Sequence, residues 1–400
     1  MTYQIIIQVL FILAAAVVTG EVFEHFRLPA VPGQLLSGIV LGPTVFGVIS
    51  TNDQIQAVSS VALFFVVFLI GFEINTDVLR KHLRGGIIIS LSSFVIPLFG
   101  VFVIAIFLFP FGTASDLVAA LAITVPSISI ISVLVLQYRL LEKESGGIIL
   151  SSVAVADIVA FIALVSVSSS ILNTISVIGD TVIFLAVFAA VDILLNYRPG
   201  AFRRLLERAS GSVRTQDISY AAIILVGLGV AAYFQAIGLS YILGAFFAGL
   251  IMRESLIGGK AFQEVSLTFT RMSRAFFIPI FFGAAGLQAD LSASGYYLIP
   301  NLGIIIAATL VLSLGITFYA SGSILRLSQT DAKQVSVILG GRGAVGIAVA
   351  TVALGSGIIN GLAYSLIIVA TLVISLIVPL LLGRKAPEPP LPSQDSGLPS

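Results

Sequence analysis

Asp157 is the residue in this chain best placed to do chemistry. It stands in the apolar stretch SSVAVADIVAFIAL at 151–164, and an acid in such surroundings is expensive unless it is hydrated, paired or used. A carboxylate removed from water needs a partner for its charge. A proton can serve, and so can a partly dehydrated monovalent cation, because hard cations favour oxygen ligands. Two ions competing for one group already amount to an exchange mechanism.

Two further motifs supply what such a site requires. In ITVPSIS at 123–129, Pro126 removes a helical hydrogen bond and disfavours helical geometry at Val125. Thr124 and Ser127 then offer hydroxyls beside freed carbonyls, and together with Asp157 they form the expected cation and proton site. In LGGRGAVG at 339–346, Arg342 is flanked by Gly340, Gly341, Gly343 and Gly346, which permit an unwound turn. Arginine keeps its proton, so its expected role is structural and electrostatic, with direct control of Asp157 as the alternative. Glu73, in LIGFEINTDVLRK at 69–81, is a secondary candidate near a helix end, and Glu21 stands in a similar place. Asp180 and Asp192 receive no role.

Other chemistries lack their residues. The chain has no Cys and only two His, His25 and His82, too far apart in sequence for a metal cluster. No GxGD string and no mid-span His argue for intramembrane proteolysis. The expectation is a non-enzyme without a cofactor or a nucleic-acid partner, whose only metal is a monovalent cation at Asp157.

The elements that must position these residues are membrane helices. Hydrophobic residues make up 58% of the 400 residues and charged ones 10%, and runs such as 86–111 and 361–383 exceed the roughly 20 residues that span a bilayer. Apolar runs predict about thirteen helices, near 4–24, 31–50, 55–73, 86–110, 116–137, 146–169, 174–196, 217–235, 239–252, 274–288, 296–322, 333–354 and 361–383. Lys and Arg fall only in alternate loops and the tail, apart from Arg342 inside a span. That pattern places the N-terminus outside and the C-terminus in the cytoplasm of an inner or plasma membrane. The first run lacks a basic leader and a cleavage site and reads as helix 1. The charged stretch 198–214 reads as a surface helix, and the Pro/Ser-rich tail 384–400 as disordered.

The interrupted helices 5 and 12 are seven apart, so they run in opposite directions. That is the arithmetic of an inverted-topology repeat with two crossed discontinuous helices. The transmembrane domain 1–383 then divides into one repeat at about 1–170, a linker helix and surface helix at about 174–215, and a second repeat at about 217–383.

The segments RLPAVPGQLLSGIVLGP (27–43), VVFLIGFEINTDVLRK (66–81), FIPIFFGAAGLQADLS (277–292) and GRGAVGIAVA (341–350), with Asp157 between them, make the chain resemble the sodium/proton exchanger domain of the monovalent cation:proton antiporter superfamily, second subfamily. The resemblance implies an all-α elevator-type antiporter serving pH homeostasis, with a core domain holding the broken helices, a separate dimerisation domain and a homodimer. It also implies that Asp157 carries cation and proton and that Ser127 lies near the cation. Electrogenic members resemble one another in an Asp-Asp pair, electroneutral sodium exchangers in Asn-Asp, and potassium-efflux relatives in Gln-Asp. Here the pair is Ala156-Asp157, and 313–322 lacks the lysine that electrogenic members tend to carry. One-for-one, electroneutral exchange is expected, with sodium first and potassium or lithium open. The alternatives are a potassium-efflux antiporter or channel-like system of the same superfamily, or an organic-anion/sodium symporter of similar fold.

Overall fold

The computed structural model describes residues 2–26, 28–74, 76–138, 140, 143–168, 215–236, 241–252, 259–290 and 298–382. The expected helix at 174–196, the surface helix at 198–214, Arg27 and the tail 384–400 lie outside the described residues.

All regular structure among the described residues is helical. In chain order it comprises α1 (Thr2–His25), α2 (Ala30–Leu41), α3 (Asp53–Glu73), α4 (Thr76–Lys81), α5 (Leu83–Leu108), α6 (Thr113–Thr124), α7 (Ile128–Gln137) and α8 (Glu144–Ser168). There follow α9 (Thr215–Ala236), α10 (Tyr241–Ile251), α11 (Gly259–Met272), α12 (Ile278–Leu287), α13 (Ile299–Ile324), α14 (Gln329–Ile338), α15 (Ala344–Gly355) and α16 (Gly361–Leu382). Among the described residues, α1, α3, α5, α8, α13 and α16 are long and apolar enough to cross a bilayer. Large apolar side chains such as Leu10, Val18, Phe107 and Val311 stand on the outside of the bundle, where water would penalise them and lipid does not. The protein is a multi-pass membrane protein.

Both expected interruptions are present. α6 stops at Thr124, and Val125 takes extended backbone (φ −66°, ψ 127°), the geometry that a following proline demands. α14 stops at Ile338 and α15 resumes at Ala344 after the glycine-rich turn. The second helix is shorter than the expected 31–50: α2 ends at Leu41, and Gly42 is extended ahead of Pro43. The charged stretch 253–274, expected as a loop, contains α11. Its Phe269 docks on Phe65, Phe68 and Phe72 of α3, burial that an isolated short helix lacks. Wide π turns interrupt α5 at Leu91–Val95 and α13 at Ala320–Ile324, and another joins α11 to α12 at Ser273–Phe277.

The helices pack as two sets. One contains α1, α2, α3, α9, α10 and α12; the other contains α5 to α8 and α13 to α16. Lipid tails are as apolar as leucine, so helices in a membrane are held largely by close packing and hydrogen bonding, and glycine permits the closest approach. In the first set the contacts are reciprocal. A Cβ on Gly38 of α2 would overlap the Gly283 carbonyl of α12, and one on Gly286 of α12 would overlap the Leu35 carbonyl of α2. Gly71 on α3 and Gly249 on α10 face the Phe246 and Phe68 carbonyls in the same way. Gly286→Ala is therefore expected to destabilise the bundle by about 1–3 kcal/mol. The control Gly315→Ala adds its methyl to open space and should be neutral. Thermal unfolding in detergent distinguishes the two.

Candidate cation and proton site

The two broken helices meet at their gaps and satisfy each other's loose backbone. Ser127 N donates to Gly341 O at 3.0 Å, and Ala344 N donates to Ser127 Oγ at 3.0 Å. Irregular backbone at membrane depth is tolerated only where protein or water satisfies it, and here each gap satisfies the other. Glycine makes the approach possible. A Cβ on Gly343 would come within 3.0 Å of Ser127 Oγ, and one on Gly346 would strike the Ala122 carbonyl. Pro126 is buried at the gap. The Thr124 hydroxyl donates back to Ala120 O at 2.6 Å, which leaves its oxygen lone pairs able to face a cation.

Asp157 lies on α8, which packs against α7 and α15, the downstream halves of both broken helices. Its side chain is fully buried, and neither carboxylate oxygen has a hydrogen-bond partner among the described residues. Ala156 beside it is equally buried and offers no polar group. The sequence-expected residues thus fall into two places. Thr124, Pro126, Ser127, Gly341 and Gly343 form the crossing, and Asp157 stands on the adjacent helix without a hydrogen bond to Thr124 or Ser127. The N-terminal ends of α7 and α15 are positive ends of helix dipoles, so they favour an anionic group near the crossing.

Arg342 is fully buried and spends its guanidinium elsewhere. Nη1 donates to Leu339 O at 2.8 Å, the loose carbonyl at the C-terminal end of α14, where a positive charge is favoured. Nη2 donates to Ser313 Oγ at 2.6 Å and to Ser93 O at 3.5 Å, and Ser313 Oγ also donates to Ser93 O at 3.0 Å. Ser93 stands in the π turn of α5, where the hydrogen-bond ladder is widened. Ser375 Oγ donates to the Arg342 carbonyl. The arginine therefore clips the second gap to α5, α13 and α16. The sequence left its partners unidentified, because serines scattered over three helices carry no spacing signal.

Glu73, the last residue of α3, opens onto a cavity of about 600 Å³ at the end of the bundle that carries the basic loops. Glu21 and Glu24 of α1, Gln34 of α2, and Arg271 and Arg274 line the same space. At its floor stand Ile128 and Ala344, the first residues of α7 and α15. The cavity thus runs from the basic end to the helix crossing. Arg271, from the helix the sequence reading missed, and Gln34 are additions to the sequence-derived set.

A bundle with two mutually satisfied helix gaps, a buried acid beside them and a water-accessible approach defines a membrane transporter of ions. The chain belongs to the sodium/hydrogen exchanger transmembrane family, matched over residues 11–384. It is 24% identical over 376 residues to a Na(+)/H(+) antiporter of Enterococcus hirae, covering 93% of this chain and 95% of that one. It is 25% identical over 386 residues to the Na(+)/H(+)-K(+) antiporter GerN of Bacillus cereus, covering 95% of each. With K(+)/H(+) antiporter 1 of Saccharomyces cerevisiae it shares 26% identity over 388 residues, covering 88% of this chain and 43% of that one. The sodium proton antiporter MjNhaP1 of Methanocaldococcus jannaschii at pH 8 has the same fold, with a TM-score of 0.67 at 16% identity, covering 95% of this chain and 96% of that one.

If Arg342 is a clip, Arg342→Lys keeps the charge but cannot reach Leu339, Ser93 and Ser313 together. The expected loss is about 2–4 kcal/mol, measured as earlier aggregation on heating in detergent. A variant as heat-resistant as the parent would contradict the assignment.

Proposed function

We propose that the protein is a secondary active antiporter that exchanges a monovalent cation, sodium first, for protons by competition at Asp157. The observation that carries this reading is the fully buried Asp157 carboxylate, unpartnered among the described residues, on the helix that packs against both broken helices. Such a group is tolerated when an ion neutralises it. Protonated, it is neutral. Ionised, it holds a cation whose lost water is replaced by oxygens of Asp157, Thr124, Ser127 and the carbonyls of the α6 gap. The fixed charge of Arg342 meets the end of α14, and the corresponding negative end of α6 is left for the transported ion. The names of the relatives, Na(+)/H(+) and Na(+)/H(+)-K(+) antiporters, support the ion classes. A potassium/proton antiporter is the second reading, favoured by GerN and by the yeast K(+)/H(+) relative.

With the basic loops read as cytoplasmic, the cavity opens inward and the described conformation is the inward-facing one. Alternating access follows if α5 to α8 and α13 to α16 move as a core against α1 to α3, α9, α10 and α12, which would also form the face of a homodimer. Two features support electroneutral, one-for-one exchange. Ala156 supplies no second acid. The cation bonded to Ser313, in the segment where electrogenic members carry a lysine, is an arginine, which does not release its proton.

Asp157→Asn is expected to abolish sodium-driven proton movement in proteoliposomes while the protein stays folded, and retained exchange would refute the competition mechanism. With the membrane potential clamped at different values, the wild-type flux should not change. A flux that scales with potential would refute the stoichiometry.

A further inference from the structure

We infer that Glu73 is a proton relay to Asp157, on a small side branch of the inward path; this rests on the antiporter reading above. Glu73 and Ile128 line two cavities at once. The first is the 600 Å³ vestibule that ends at the helix crossing. The second has about 40 Å³ and lies along α8, walled by Ser151 and Ala154. About 10–15 Å³ of such space holds one water, so the small cavity admits a few waters. The Glu73 carboxyl and the Ser151 hydroxyl give such a water the polar partners it needs.

The small cavity leads towards Asp157. Ala154 precedes Asp157 by three residues, so the two are neighbours on one helix face, about 4.5 Å apart along the axis. Helical side chains lean towards the N-terminus of their helix, which brings the Asp157 carboxyl back towards Ala154. The paths therefore divide at Glu73: the cation continues through the vestibule to Ser127 and Thr124, and the proton crosses the small cavity. In the step itself, the Glu73 carboxylic acid gives its proton to a water of the cavity, and a chain of waters continuing past Ala154 passes one on to the Asp157 carboxylate, which does not itself line the cavity. Glu73 is left ionised and regains a proton from vestibule water. The charged groups around Glu73 are Glu21 and Glu24 from α1 and Arg271 and Arg274 from the α11–α12 junction, all lining the vestibule. Among the described residues the small cavity contributes no other titratable side chain: its remaining walls are Ile74, Val78, Leu79 and Leu150.

The test uses the full-length protein in everted vesicles, whose outer face is the cytoplasmic one, with sodium as the cation and the outer pH stepped. Glu73→Gln should lower the maximal exchange rate on the order of tenfold or more and flatten its pH profile. The sodium half-saturation should stay within about twofold of wild type. Glu73→Asp should restore most of the rate, and Ala154→Leu, which fills the small cavity while keeping both acids, should reproduce the loss. Sodium-dependent heat stabilisation in each variant reports an intact cation site. A wild-type rate and pH profile in Glu73→Gln, a defect confined to sodium half-saturation, or full activity in Ala154→Leu would each overturn the relay. Failure of the antiporter reading is seen separately, as exchange retained in Asp157→Asn.

Discussion

Backbone that is not helical cannot stand unsatisfied at membrane depth, and the rest of this structure depends on how that constraint is met. Each broken helix exposes a loose N-terminal and a loose C-terminal end. Ser127 and Ala344 tie the two gaps to each other, and Arg342 closes the end of α14. Three of the four ends, the starts of α7 and α15 and the end of α14, are thereby bonded by the protein itself. The end of α6 packs near the helix of Asp157, where a transported ion can complete the set.

The surrounding helices serve that crossing by coming unusually close. Gly346 lets α15 press on the Ala122 carbonyl of α6, and the reciprocal glycines of α2 and α12 and of α3 and α10 stiffen the opposite set. Where an arginine must be buried, the π turn of α5 and the hydroxyl of Ser313 meet it with oxygen rather than with a carboxylate. This keeps Arg342 out of competition for Asp157, which is left with no fixed partner among the described residues. A carboxylate permanently paired with arginine would be a poor exchange site, because neither ion could displace that partner.

The fold was legible in the sequence to the extent that lipid dictates it. A bilayer requires long apolar runs, and those at 361–383 and 55–73 became α16 and α3 within about two residues of the expected ends. Pro126 announced the first gap and the glycines around Arg342 the second, because both residue types act on the backbone locally. α11 was less visible. Its charges read as a loop, and only the docking of Phe269 against three rings of α3 shows why it folds. The early end of α2 was missed for a related reason: 42–50 is apolar enough for a span, but its Gly-Pro pair turns the chain.

By itself the sequence determined that the chain lives in lipid, where its helices break and which acid is too costly to be incidental. These follow from composition, proline and glycine geometry and the energetics of a lone charge, all of which are local. Only the tertiary structure decided that the two gaps satisfy each other, that Arg342 bonds to serines of α5 and α13, and that water-accessible space ends at Ile128 and Ala344. Those outcomes depend on which helix faces lie against one another, across separations of up to 249 residues along the chain. No spacing in the sequence records such contacts.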